Sequence, residues 1–503
     1  MKTTQASENI KYYYFLLFII LPGLLFHGYD ITQYPFGEHA WAQSDHYAVA
    51  LGFLDNSFDF FHPRSFTLNH QFPPKAVVEN PQGITAVDFP ILHYLVALMM
   101  KLFHTDAPVV FRSVSLVWSW VGLFFLYRAI AVLKNNYAAI FVGVLIVSQP
   151  IFVYYQSGFH VSMAAFSTVL MALSFFIYYF KGRKLKFFII GMFFLTLAAL
   201  MRFTHTIIIL ALLVYMAYLA LMSKKYRINL LVVCASLGVV LAYFIYNQYL
   251  QIHYGSVFLN HPIVAETWAE LWANLRVIAI HYGIRFMPIF HCLVGLVLIY
   301  FYFKYGRNPQ HNHLLILVGI YFLGVLGYTL LMSWSLSVHN YYALDTWLPF
   351  LTMVVVLMVF SLPDFVFKKQ NHKRTLLALM LGAMAYTGYL QYSNYSQMRE
   401  TDWVISDFRK SKKMIDQYAG QRYMVLSHYG YNTPLIGTKQ YAYRLQHDNL
   451  NYTIPKEVAY HQPKVLVVHR FCFKESSPDE VQKFKAHHTK IADNGMVSIW
   501  RLK

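Results

Sequence analysis

Gly37-Glu38-His39-Ala40-Trp41-Ala42-Gln43-Ser44-Asp45-His46 decides how this chain is read. The stretch follows the first apolar segment. It opens a polar, aromatic-rich region that runs to about residue 110. Acids are scarce elsewhere, with only 23 Asp and Glu in 503 residues. Glu38 and Asp45 standing together with His39, Trp41 and His46 where a membrane helix ends therefore form either a solvated helix end or a reaction centre. The rest of the chain bears on the choice.

Composition excludes most soluble classes. Hydrophobic residues make up 57% of the chain and charged residues 13%, against about 25% charged in a soluble domain. Apolar runs of about 20 residues recur, which is the length that crosses a bilayer. Aromatic content is 18%, with 40 Tyr, and Tyr and Trp favour membrane interfaces. The formal net charge of +18 resembles a nucleic-acid signal, but the Lys and Arg fall in short clusters between apolar runs, as the positive-inside rule expects. Cys234 and Cys292 lie in apolar runs and Cys472 in the polar tail, with no metal or disulfide spacing. Lys2 and Lys11 precede the first apolar run, and no small-residue cleavage site follows, so the first helix reads as uncleaved.

Spans are expected near 12–27, 110–133, 138–155, 162–180, 187–201, 206–222, 228–250, 287–303, 314–332, 346–362 and 376–391. With about eleven spans, the clusters at 181–186, 224–227, 304–307 and 368–374 all fall on the cytoplasmic side. The apolar piece 90–103 is too short to cross and reads as a helix on the outer membrane surface. The segment 251–285 carries an amphipathic helix around Trp268 and Trp272. The fold class expected is a polytopic α-helical membrane protein with a large first outer loop of juxtamembrane helices and a small C-terminal α/β domain. The expected division is 1–391 for the membrane domain, with 28–109 as the loop bearing the active site, and 392–503 for the extracytoplasmic domain. In that tail Tyr423-Met-Val-Leu-Ser427, Lys464-Val-Leu-Val-Val-His469 and residues 496–502 read as strands, and 479–487 as a helix.

Four stretches together carry a resemblance: residues 38–48, Asp88-Phe-Pro-Ile-Leu-His-Tyr94, Arg112 opening the second span, and Val338-His-Asn-Tyr-Tyr342 before a later one. In their order and placement they resemble the GT-C class of membrane glycosyltransferases, in particular the family of protein O-mannosyltransferases and the lipid A aminoarabinose transferase. The likeness covers the membrane half well and the tail poorly. It implies a sugar donor linked to polyprenyl phosphate, a catalytic acid in the first outer loop, and a glycan, lipid or protein acceptor on the outer face of the cell membrane. The family often shows adjacent Asp-Glu after helix one, where this chain has Ser44-Asp45. Another family acid would fall near 156–160, where this chain has Gln156 and His160. Metal binding of the oligosaccharyltransferase type is therefore not expected, and no cofactor is implied.

The reaction needs a base to take the acceptor's proton. Asp45 is the first candidate, because a carboxylate against an apolar surface has a raised pKa. Glu38 is the alternative or its orienting partner, and Asp88 a third candidate that could instead cap the helix after Pro90. Capping and surface solvation are the competing readings for all three. The donor phosphate needs cations, and Arg suits bidentate phosphate binding. Candidates are Arg64, Lys75, Arg112, Arg202 and Arg285, although Arg at a span end can also simply snorkel. His339, Tyr341 and Tyr342 form a polar-aromatic cluster suited to sugar or phosphate, or to an aromatic belt. No metal ligands are assigned. An envelope polysaccharide polymerase or ligase would use the same kind of donor. A transporter would place ionisable residues at the membrane midplane instead.

Overall fold

A computed structural model describes residues 10–502 apart from 259–262, 286–288, 306–311, 399–402, 421, 428–429 and 446–448. The side chains of 281–285, 312–313 and 394–398 also lie outside the described residues. The chain forms two compact units, which cut it differently from the sequence-based division. The first comprises Met1–Ile31, Arg112–Tyr243 and His261–Asn394, and the second Thr32–Phe111, Phe244–Asn260 and Tyr395–Lys503. The first outer loop thus belongs to the same unit as the tail, not with the membrane helices.

The first unit is built of apolar helices. Among the described residues, five helices are long and apolar enough to cross a membrane, or six if one bent pair counts as a span. The shorter apolar helices Tyr12–His27, Leu185–Met201, Ile289–Tyr305 and Trp347–Ser361 and the helix Gln370–Met398 occupy the remaining expected spans. By length and composition alone, the described residues therefore account for five spans, or six with the bent pair, of the eleven expected. The span expected at 138–155 is broken. Helices Asn136–Val147 and Pro150–Gln156 meet at 74°. Pro150 has no N–H and disfavours a helical residue before it, and Gln149 is extended, with ψ 123°. The bend delivers Gln156 and the residues after it into a loop.

Helix Pro108–Leu133 lies close to helix Val161–Gly182. A Cβ on Gly122 would stand 2.4 Å from the Ser167 carbonyl oxygen, so only glycine permits this approach. Trp118 Nε1 donates to Thr168 Oγ1 at 3.0 Å across the same pair.

The second unit holds helix Ala40–Asp55, helix Ile91–Leu102 and a five-stranded sheet. The deciding stretch is thus helical from Ala40 onward. A left-handed turn at Gly37 and His39, with φ of 77° and 57°, leads into it, and Gln43 Nε2 donates back to the Phe36 and Glu38 carbonyls. Every residue from 42 to 53 is buried, the polar Gln43, Ser44, Asp45 and His46 included. A Cβ on Gly52 would stand 2.1 Å from the Arg64 carbonyl oxygen, so the glycine lets the following loop close on the helix. Helix Ile91–Leu102 has 12 residues, about 18 Å at 1.5 Å per residue, too short to span.

The strands are β1 (Met424–Leu426), β2 (Tyr443–Leu445), β3 (Val465–His469), β4 (His488–Asp493) and β5 (Val497–Leu502). Their order is β2-β1-β3-β5-β4. The first three run parallel, and β5 is antiparallel to both β3 and β4. The three strands and the helix read from the tail are present. The helix starts at Pro478 under a reciprocal cap between Ser477 and Glu480. The early loop joins this sheet's margin. Leu68 N donates to the Ala442 carbonyl, and Ala442 N to that of Phe66.

Candidate functional site

Asp45 sits inside the second unit, on the buried helix Ala40–Asp55, and is 1% exposed. Its partner comes from the tail. Asn432 Nδ2 donates to Asp45 Oδ1 at 2.8 Å, while Asn432 Oδ1 accepts from the backbone N–H groups of Phe66 at 3.0 Å and Thr67 at 3.1 Å. Those two donors fix which end of the amide faces the acid. Burial pushes the Asp45 carboxyl up to about 7, and the Asn432 hydrogen bonds pull in the opposite direction. Among the described residues, no charged side chain contributes to that shift. A carboxyl titrating near neutrality is matched to taking a proton at physiological pH.

The neighbouring His46 is used differently. Its Nδ1 lies 2.9 Å from His93 Nε2, with the rings stacked. Burial pushes His93 down to about 3. His46 also packs on Phe258.

Glu38 is half-buried in the turn before the helix, where its carbonyl serves Gln43. Asp88 is half-buried too, and helix Ile91–Leu102 takes Pro90 as its N-cap with no side-chain cap. Arg64 donates to Gln82 Oε1 at 2.9 Å and acts on Asp55. Lys75 is exposed.

In the first unit a second cluster forms around Asp345, which is 1% exposed. Arg202 Nε and its terminal nitrogen each stand 2.9 Å from Asp345 Oδ2. Ser162 Oγ donates to the same oxygen at 2.9 Å. The Arg202 guanidinium lies over the Tyr342 and Tyr341 rings, 5.3 and 5.9 Å from their centroids. His339 stacks on Tyr341 at 5.4 Å, and His160 does so at 4.0 Å. Arg202 therefore meets the cluster of His339, Tyr341 and Tyr342, which the sequence names apart from it. Arg112 is tied to the same neighbourhood by the loop after the bend. Its guanidinium covers Phe159 and donates to the Ser157 carbonyl. The Arg285 side chain lies outside the described residues.

Two residues escape a reading of the sequence. Asp345 stands where an apolar span begins, and an acid at such a place is a functional signal by default. Asn432 offers only the turn signature Asn-Thr-Pro, which says nothing about a partner hundreds of residues away. Among the described residues, no group of three or more His, Cys, Asp or Glu could hold a metal ion.

The family model described as dolichyl-phosphate-mannose-protein mannosyltransferase matches residues 87–247. No curated protein matches the chain. Among solved structures, ArnT from Cupriavidus metallidurans in the apo state aligns with a TM-score of 0.61 at 10% identity, over 97% of both chains. The same protein bound to undecaprenyl phosphate aligns with a TM-score of 0.61 at 10% identity, over 98% of both. The oligosaccharyltransferase AglB from Archaeoglobus fulgidus, in complex with an inhibitory peptide and a dolichol-phosphate, gives 0.53 at 13% identity, covering 92% of this chain and 70% of that one. These likenesses show the fold, which is that of the GT-C class.

Proposed function

We propose that this chain is an integral-membrane glycosyltransferase that moves a sugar from a polyprenyl-phosphate-linked donor to an acceptor on the outer face of the membrane. Asp45 carries the reading. It is a buried carboxyl lifted to about 7, in a chain whose structural neighbours were solved with undecaprenyl phosphate and dolichol-phosphate.

In this reading Asp45 accepts the proton of the acceptor's hydroxyl or amine as that group attacks the anomeric carbon. The bond from that carbon to the phosphate oxygen breaks, and polyprenyl phosphate leaves with the electron pair. A single base and no nucleophile of the protein's own makes the displacement direct, so the anomeric configuration inverts. Glu38 and Asp88 remain the other acids assigned to the loop. A cation must neutralise the departing phosphate. Arg202 is the first choice, because Asp345 and two tyrosine rings already hold its guanidinium in one orientation. Arg112, Arg64, Lys75 and Arg285 are the others. His339, Tyr341 and Tyr342 supply stacking surface for sugar or phosphate. No cofactor or metal is assigned a role, and the active site and tail are placed outside the cytoplasm of a cell membrane.

The test is transfer by the purified protein in detergent from a synthetic polyprenyl-phosphate sugar of defined anomeric configuration. NMR of the product then reads that configuration. An inverted glycoside is expected. Retention would exclude the direct displacement, and no transfer from a panel of donors and acceptors would remove the enzyme class.

A further inference from the structure

We infer that Asn432 is the positioning residue of the Asp45 carboxylate, carried to it by the tail; the inference rests on the reading of Asp45 as the base. Asn432 stands at the N-cap of helix Thr433–Thr438, where an Asn side chain ordinarily bonds its own helix's first N–H groups. Here it makes no cap bond. Its oxygen is instead taken by the Phe66 and Thr67 N–H groups, and its nitrogen by Asp45. The Asn432 backbone N–H also acts on the carboxylate. Held at its oxygen by two N–H groups, the amide thus aims its donor at one buried acid, which orients the carboxylate and favours its charged form against burial.

The segment before Asn432 is held from the sheet. Arg444, buried in β2, donates to the Gly430 carbonyl at 3.2 Å, to that of Val425 at 3.3 Å, and to that of Ser427. Its own backbone exchanges two hydrogen bonds with the Asn69 side chain, at 2.7 and 2.8 Å. The early loop and the tail therefore lock each other, and Asn432 sits at the junction.

Among the described residues, the titratable groups around the acid are few. Tyr431 is close enough for Asp45 to act on it electrostatically. On the acid's own helix His46 is paired with His93 of helix Ile91–Leu102. The charged Arg444 acts on Tyr431 but contributes nothing to the shift of Asp45. Asn432 is therefore the group through which the tail sets the proton affinity of the base.

The experiment is the pH dependence of kcat/KM for transfer from a polyprenyl-phosphate sugar by wild type, Asn432→Asp, Asn432→Ala and Asp45→Asn. Asn432→Asp keeps an oxygen for the Phe66 and Thr67 N–H groups and replaces the donor to Asp45 by a second acid. Its rising limb should move up by about one pH unit or more. At neutral pH its rate should fall at least about fivefold, with donor KM within about twofold of wild type. Asn432→Ala should move the limb the same way, and if it does not fold, Asn432→Asp decides alone. A wild-type limb in a folded Asn432→Asp protein overturns the positioning role. A near-wild-type rate in Asp45→Asn overturns instead the reading of the base on which it rests.

Discussion

The amide of Asn432 reaches the carboxylate of Asp45 across 387 positions of sequence, at 2.8 Å. Among the described residues, no cation contributes to that acid's titration. Its proton affinity is therefore set by two opposed quantities, the loss of water around it and the hydrogen bonds from one residue. An acid surrounded by Arg or Lys would stay charged far below neutrality and would be a poor base.

Removing the base while keeping its shape should leave binding and abolish chemistry. General-base catalysis contributes about 10²–10⁴-fold, so Asp45→Asn should lower kcat by at least the smaller factor with donor affinity retained. Glu38→Gln and Asp88→Asn, measured beside it, should retain most activity. The reverse pattern would keep the enzyme class and move the base to another acid of the loop.

The same acid makes a stability prediction of definite sign. Asp45 titrates near 7 in the fold and near 3.9 in an unfolded chain, so the folded state binds its proton more tightly. The acid's burial then costs stability only above about pH 4, increasingly up to about pH 7 and constantly beyond. Asp45→Asn should raise the Tm in detergent at pH 8. The gain should shrink steadily as the pH is lowered and be lost near pH 4. A gain equal at every pH would mean that the carboxyl does not titrate between those limits.

Arg202 and Asp345 allow structure to be separated from function. Both are largely buried, Asp345 completely so. Removing one partner of a buried pair strands the other charge at a cost of about 3–5 kcal/mol, whereas replacing both by apolar groups is often neutral. Asp345→Leu alone should therefore unfold at lower temperature. The double variant Arg202→Met with Asp345→Leu should recover most of the loss yet bind polyprenyl phosphate weakly. Wild-type donor KM in that stable double variant would reduce Arg202 to a packing role.

What the sequence makes legible follows from range. Apolar helices, the short helix after Pro90 and the tail's strands are local patterns, and the structure has helices and strands in those places. The bend before Pro150 needed only the proline rule, but the apolar run on either side of Gln149 masks it. Arg202 and Tyr341 could each be singled out as polar residues near span ends. Their joining by Asp345 and Ser162 is long-range packing, which no periodicity encodes. Asn432 is the extreme case. A lone polar residue in a turn has many uses, and only the folded chain brings Phe66, Thr67 and Asp45 to it.

Metal dependence is a separate question of chemistry. With Gln156 and His160 where the family that the sequence resembles has an acid, transfer should proceed without a divalent ion. Gln156 is engaged otherwise, its Nε2 donating to Ser119 Oγ at 2.9 Å and its Oε1 lying 3.2 Å from His27. Assaying the protein after chelation, with and without added Mg²⁺ or Mn²⁺, should give equal rates. Activity lost to chelator and restored by either ion would require a ligand set beyond these residues.

The last prediction concerns the face of the membrane, and the two-unit division sharpens it. The basic clusters at 181–186, 224–227, 304–307 and 368–374 should lie in the cytoplasm, since Lys and Arg near span ends set orientation. Lys134, which pairs with Asp364 at 2.9 Å, belongs with them. Asp45 and Asn432 are hydrogen-bonded within one unit, so the first loop and the tail must share a face, whichever face it is. A reporter fused after Lys503 that works only in the cytoplasm should be silent, and so should the same reporter inserted beside the exposed Lys75. Silence at both sites places the base outside, where a lipid-linked donor would be used. Activity at both would turn the whole site to the cytoplasm and refute the proposed donor face. Activity at only one would contradict the Asp45–Asn432 hydrogen bond itself, because a bonded pair cannot lie on opposite sides of a bilayer.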